Sequence, residues 1–193
     1  MARARALLRV FIAVKVDEAS LVARVKQLQE DLERAGLKAK FVEPENLHIT
    51  LRFVGEIPAE KIEALRQKLR EVRYKRFSML VRGVGAFPSI SRPRVIWLGV
   101  DEGSAELSQL ASLVSHVVDS LKLGSQQGSE ESFTPHLTIA RLKAPPPPEA
   151  RRIMENLAEA VFGRQAVDAF YLFKSDLTPR GPIYTVIERY VLE

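Results

Sequence analysis

NLHITLRFVG, residues 46–55, and SFTPHLTIARL, residues 132–142, decide how this chain is read. In the first, Leu47, Ile49, Leu51 and Phe53 alternate with His48, Thr50 and Arg52, the period-two pattern of a strand with one buried face. In the second, Phe133, Leu137 and Ile139 share one face. Each strand carries a histidine and, two residues on, a threonine pointing the same way, while Ile49 and Leu137 turn into the core.

Outward from these strands the chain reads as one pattern used twice. Leu8–Val14 is an apolar run of strand length, and Leu21, Val22, Val25, Leu28 and Leu32 recur at helical spacing until Gly36 supplies a stop. After the first histidine strand, Pro58 opens a helix carrying Ile62, Leu65, Leu69 and Val72, and Phe77–Phe87 returns as a strand. Then the order repeats. Arg94–Val100 is a strand, Leu107, Leu110, Val114, Val117 and Leu121 mark a helix, and the second histidine strand follows. Pro148 starts a helix with Ile153 and Leu157, and Val167–Phe173 is a strand. His48 lies 38 residues after Val10, and His136 lies 41 after Val95. The expectation is a single α+β domain over residues 1–193, with repeat units at about 8–87 and 94–174 and a C-terminal hairpin at 167–192 turning at TPRGP. It has two pseudo-symmetric lobes, each an antiparallel sheet packed by helices, whose histidine strands face each other across a cleft. The polar stretch 124–132 reads as a connector into the second histidine strand, with a lid as the alternative, and APPPP at 144–148 as a stiff extended link.

Composition narrows the chemistry. With no cysteine among 193 residues there is no disulfide framework, thiolate metal site or cysteine nucleophile. No apolar run approaches the roughly 18 residues of a membrane helix or the make-up of a signal peptide, so a soluble intracellular protein is expected, with a cytoplasmic location and a monomer as defaults. A net charge of +5 biases the surface toward anionic partners such as nucleic acid. The serine-hydrolase elbow, the phosphate-binding loop of nucleotide hydrolases and the spaced glycines of dinucleotide folds are all missing.

Three histidines are present, and two sit in the same setting, His48-Ile49-Thr50 and His136-Leu137-Thr138. Histidine titrates near neutrality, so one copy can take a proton from water while the other gives one to a leaving oxygen. Threonine hydroxyls on rigid strands suit the non-bridging oxygens of a phosphate, whose charge grows in the transition state. A lone histidine on a strand is usually structural; duplication on matching elements makes the catalytic reading the better one. His116, on the polar side of its helix with Ser112, Ser115 and Asp119, reads as a surface residue. Zinc would want a carboxylate or thiolate in phase with each histidine, and neither strand has one.

PENLHITLRFVGEI and FTPHLTIARLK, with RVFIAVKV near the start and SDLTPRGPIY near the end, resemble the two-histidine (2H) phosphoesterases, specifically the RNA 2',3'-cyclic phosphodiesterases once called 2'-5' RNA ligases. The resemblance covers nearly the whole chain. It implies a bilobal α+β fold, no metal or other cofactor, and hydrolysis of an RNA-terminal 2',3'-cyclic phosphate, or of a cyclic nucleotide, to a 2'-phosphomonoester. Carried over by position, it makes His48 the proton donor to the departing 3'-oxygen and His136 the acceptor that activates water. Thr50, Thr138 and Arg141 then hold the phosphate. Strict alternation puts Arg141 on the core side with Leu137 and Ile139, whereas Arg52 shares the face of His48. Either the strand bulges before Arg141 or Arg52 does part of its work. Phe133 is a candidate for stacking on a base, although its parity with Leu137 favours the core. Two alternatives stand beside hydrolysis: ATP-independent 2'-5' joining, and a binding module for nucleotides or RNA ends with little turnover.

Overall fold

The computed structural model describes residues 6–124 and 133–193. The two histidine stretches emerge as strands, and the apolar alternation of each becomes a buried face. The elements run β1 (Leu7–Lys15), α1 (Ala19–Arg34), β2 (Ala39–Phe41), β3 (His48–Pro58), α2 (Ile62–Leu69), β4 (Phe77–Phe87), β5 (Val95–Val100) and α3 (Ser104–Ser120). They continue with β6 (His136–Leu142), α4 (Pro148–Asn156), β7 (Val161–Val167), β8 (Ala169–Thr178) and β9 (Gly181–Val191). Helix α1 buries the expected stripe, Leu21, Val25, Leu28 and Leu32, and stops where Gly36 takes φ +86°, a conformation open to glycine because it lacks Cβ. No helix among the described residues is long and apolar enough to cross a membrane.

Two antiparallel sheets result, β3-β1-β8-β9 and β2-β6-β5-β4-β7. This is the expected bilobal α+β fold, but neither half-chain builds a lobe by itself. Strand β4 of the first half pairs with β5 and β7 of the second, and β8 of the second half pairs with β1 of the first. The helices cross as well: α1 packs on β6 and β7, while α3 packs on β3. The first half thus lends β2, β4 and α1 to the second sheet, the second half lends β8 and α3 to the first, and most of the buried apolar residues form one continuous cluster through both. Strands consecutive in the chain pair only at β4–β5, β5–β6 and β8–β9; the other ladders join strands from distant parts of the chain.

Three details differ from the sequence reading. Pro58 closes β3 instead of opening a helix, and a short 3-10 turn at Ala59–Lys61 precedes α2. The stretch Val167–Phe173 is divided, because Val167 ends β7 in one sheet and Ala169 begins β8 in the other. Strands β2 and β7 went unread; β2 has only three residues, too few for alternation to register. The lid alternative rests on residues 125–132, which lie outside the described residues.

Candidate active site

Both histidine strands contain a β-bulge at the same place. In the β1–β3 ladder Thr50 pairs with Ala13 and Arg52 with Ile12, leaving Leu51 as the extra residue. In the β5–β6 ladder Thr138 pairs with Trp97 and Ala140 with Ile96, leaving Ile139 extra. A bulge reverses the alternation beyond it, so the residue five after each histidine returns to the histidine face. On β6 that residue is Arg141, which enters the cavity beside His136 and Thr138. On β3 it is Phe53, beside His48 and Thr50. Arg52 is turned the other way and pairs with Asp119 of α3 at 2.9 Å, outside the cavity. Of the two arginines weighed from sequence, the bulge brings in Arg141. Phe133 packs against the core, and His116 is exposed on α3.

The bulge in β6 is clamped from behind. Gln29, on α1 and only 8% exposed, donates from Nε2 to the carbonyls of Ile139 at 3.0 Å and Val42 at 2.8 Å. The Val42 N–H donates to the same Ile139 carbonyl at 2.9 Å. The extra residue that exposes Arg141 is thereby held by a buried side chain, which satisfies backbone groups that a regular ladder would have paired.

The two imidazoles are set alike. His48 Nδ1 lies 2.7 Å from the Asn46 carbonyl and His136 Nδ1 lies 2.8 Å from the Thr134 carbonyl. A carbonyl only accepts, so each Nδ1 carries the proton of that bond and each Nε2 is left to accept or donate toward the cavity. Among the described residues neither Thr50 nor Thr138 spends its hydroxyl on a protein hydrogen bond, and Arg141 has no carboxylate partner. Their surroundings differ. His48 lies against Phe11, with ring centroids 5.0 Å apart, and edge-on to Tyr184 at 5.3 Å. Burial there pushes its pKa below the usual imidazole value, and the positive charges of Arg141 and His136 add to the effect; the Asn46 bond opposes it. His136 is bordered by Phe87 at 5.0 Å and Trp97 at 6.2 Å. Trp97 lies there because residue 85 is glycine: a Cβ on Gly85 would meet its ring at 2.2 Å.

Both histidines, both threonines and Arg141 open into one cavity of about 550 Å³. Arg9, Lys40, Arg141 and Arg180 line it against the single carboxylate among the described residues, that of Glu43, itself 3.6 Å from Lys40, so the cavity favours an anion. Phe53 is 49% exposed there, with the Arg9 guanidinium 4.7 Å from its ring centroid. Arg9, Lys40, Phe53, Arg180 and Tyr184 were not picked out from sequence. For Phe53 a signal existed: it stands five residues after His48, as Arg141 stands five after His136. Arg9 lies in RVFIAVKV and Arg180 and Tyr184 in SDLTPRGPIY, segments that carried the resemblance, whereas Lys40 comes from β2 with no motif. No group of three or more His, Cys, Asp or Glu side chains suited to a metal occurs among the described residues. Two imidazoles, two free hydroxyls and a guanidinium around one anion-favouring cavity are equipped to move a proton on each side of a phosphorus centre.

Known proteins carry the same arrangement of sequence and fold. The sequence matches the LigT-like phosphoesterase family over residues 15–97 and 99–184. It is 42% identical over 178 residues to an RNA 2',3'-cyclic phosphodiesterase of Archaeoglobus fulgidus, covering 92% of this chain and 96% of that one. A protein of the same name from Aquifex aeolicus is 36% identical, with 97% of both chains covered. Among solved structures, the protein TT0787 of Thermus thermophilus superposes with a TM-score of 0.75 at 31% identity, over 95% of this chain and 97% of that one. E. coli LigT complexed with 3'-AMP does so with 0.73 at 25%, over 97% and 99%. Two histidine strands bulged alike, joined to a match that spans both of them, place this chain in the LigT-like phosphoesterase family, the 2H phosphoesterases.

Proposed function

We propose that this chain hydrolyses the 2',3'-cyclic phosphate at the end of an RNA to a 2'-phosphomonoester by acid-base catalysis with two histidines and no metal. The observation that carries the reading is the pair of imidazoles, each with Nδ1 committed to a carbonyl and Nε2 facing a cavity that also holds two unspent threonine hydroxyls and Arg141. The curated relatives bear the corresponding name.

In this reading the cyclic phosphate sits between the two strands, its non-bridging oxygens on Thr50, Thr138 and Arg141. His136 Nε2 takes a proton from water as the water oxygen bonds to phosphorus. The P–O3' bond breaks, and His48 gives its Nε2 proton to the departing 3'-oxygen. The ribose keeps the phosphate on O2', and solvent exchange returns one proton to His48 and removes one from His136. The depressed pKa of His48 belongs to the free enzyme. A bound phosphodiester anion opposes the contributions of Arg141 and His136 and so favours the protonated form of His48 that the step needs. Phe53, with Arg9 above it, offers a face on which the terminal base can stack.

One assay tests the proposal: 2',3'-cyclic AMP is incubated with the protein before and after exhaustive EDTA treatment, and the 2'- and 3'-phosphate products are separated. The expected result is the 2'-monophosphate alone, at the same rate in both samples. No product rejects the hydrolase reading, and the 3'-monophosphate rejects cleavage of the P–O3' bond. Loss on chelation with recovery on adding zinc or manganese rejects the metal-free route.

A further inference from the structure

Two residues beyond Arg141, about 7 Å along β6, the strand leaves the candidate active site and enters a second cavity of about 400 Å³. Arg92 and Arg94 come to it from the segment leading into β5, Lys143 from the end of β6 and Arg151 from α4; among the described residues no acidic side chain lines it. Among the described residues none of these four cations has a carboxylate partner, whereas Arg152 beside them pairs with Glu149 at 2.7 Å. A basic side chain on a solvated face commonly finds such a partner. Four that do not, converging on one recess, leave a concentrated positive charge with no complement among the described residues.

Continuity with the first cavity narrows the ligand. Lys40 lies opposite Arg141 across the β2–β6 ladder, and the Lys143 N–H donates to the Lys38 carbonyl at 2.8 Å. The cations therefore run from the phosphate position at Arg141 to Lys143, just past β6, and to Arg94, just before the neighbouring β5, where the Arg94 carbonyl accepts from the Leu142 N–H at 2.8 Å. No aromatic ring lines the second cavity, and Pro93 and Pro146 stiffen its walls. Such a surface suits the charge of a sugar-phosphate backbone and gives bases nothing on which to stack.

We propose that this second cavity binds backbone phosphate of the RNA strand that leads to the cyclic end, so that the enzyme favours an oligonucleotide over a mononucleotide without reading its sequence. The proposal rests on the reading of the first cavity as the cyclic-phosphate site, and it adds a path for the rest of the polymer.

The test compares wild type with R94E/K143E/R151E and with the milder R94A/K143A, which guards against misfolding of the charge reversal. Two substrates are used, 2',3'-cyclic AMP and an RNA hexamer with a 2',3'-cyclic end. A 5'-labelled hexamer ending in a 2'-phosphate reports affinity by fluorescence anisotropy, independently of turnover. Both variants should turn over the mononucleotide as wild type does, while KM for the hexamer rises roughly tenfold or more in the charge-reversed protein. The dependence of log kcat/KM on log salt for the hexamer should become shallower by roughly 0.7 for each phosphate that the variant no longer neutralises. Equal hexamer affinity in wild type and both variants overturns the proposal, as does an equal loss on both substrates. Should wild type turn over neither substrate, the hydrolase reading fails by itself, and the anisotropy comparison still decides whether the second cavity holds RNA.

Discussion

Strands β3 and β6 are the same device in different surroundings. Each presents histidine, threonine and, beyond a one-residue bulge, a fifth residue to one cavity, and each histidine gives its Nδ1 proton to the carbonyl two residues before it. Around these shared parts the chemistry diverges. β3 places His48 among aromatic rings, ends its motif in Phe53 and sends Arg52 away to Asp119. β6 ends its motif in Arg141 and buries Ala140 where β3 has Arg52. Duplication can supply two equivalent imidazoles, but acid-base catalysis needs two inequivalent ones, and the environment provides the difference.

The largest effects should come from the histidines. His48→Ala and His136→Ala should each lower kcat by roughly 100- to 10,000-fold on a cyclic phosphate. They part on an analogue with sulfur in place of the bridging 3'-oxygen, because a thiolate leaves without a proton: His48→Ala should recover much of its rate and His136→Ala should not. Recovery of His136→Ala instead would reverse the roles, and recovery of neither would remove leaving-group protonation from both. The threonines come next. Thr50→Val and Thr138→Val should lower kcat by roughly 10- to 1,000-fold with folding retained, the cost of one oxyanion donor. Comparable losses would mean that the two strands share the phosphate evenly, and wild-type rates in both would make the threonines mere strand formers.

The fifth residue distinguishes the strands in another way. Arg141→Ala should lower kcat/KM by roughly 10- to 100-fold, the value of a charged hydrogen bond. It also removes one of the positive charges that lower the pKa of His48, so that pKa should rise. With His48 as the acid, the high-pH limb of kcat/KM must then move to higher pH, and a limb that stays put or falls would contradict this coupling. The smallest effect concerns the clamp. Gln29→Leu leaves the Val42 carbonyl without its side-chain donor and should cost about 1 to 3 kcal/mol of stability, with kcat/KM falling roughly 3- to 10-fold. If Gln29 acts by positioning Arg141, the same change should leave kcat/KM unaltered in an Arg141→Ala background. A full additional loss there would give Gln29 a purely structural part.

Much of this was written in the chain itself. Alternation about His48 and His136 was enough to recognise two strands, to turn Ile49 and Leu137 inward, and to set each threonine beside its histidine, because side-chain direction within a strand depends on local parity alone. The helical stripe ending at Gly36 was equally local. Parity failed after Thr50 and Thr138, where a bulge resets it. A bulge is defined by the partner strand's register, and nothing in the residues Leu51 or Ile139 announces it. For the same reason the choice between Arg52 and Arg141 stayed open in sequence and was resolved by the ladders with β1 and β5. Repeat units could be seen in the order of elements, but the exchange of β4, β8, α1 and α3 between sheets could not, since it depends on which apolar faces meet. Sequence alone thus pointed to the side chains proposed to carry the chemistry and determined that they come as a matched pair of strand motifs. Only the tertiary structure decided what stands around each member, because burial, neighbouring charge and strand register arise between segments far apart in the chain.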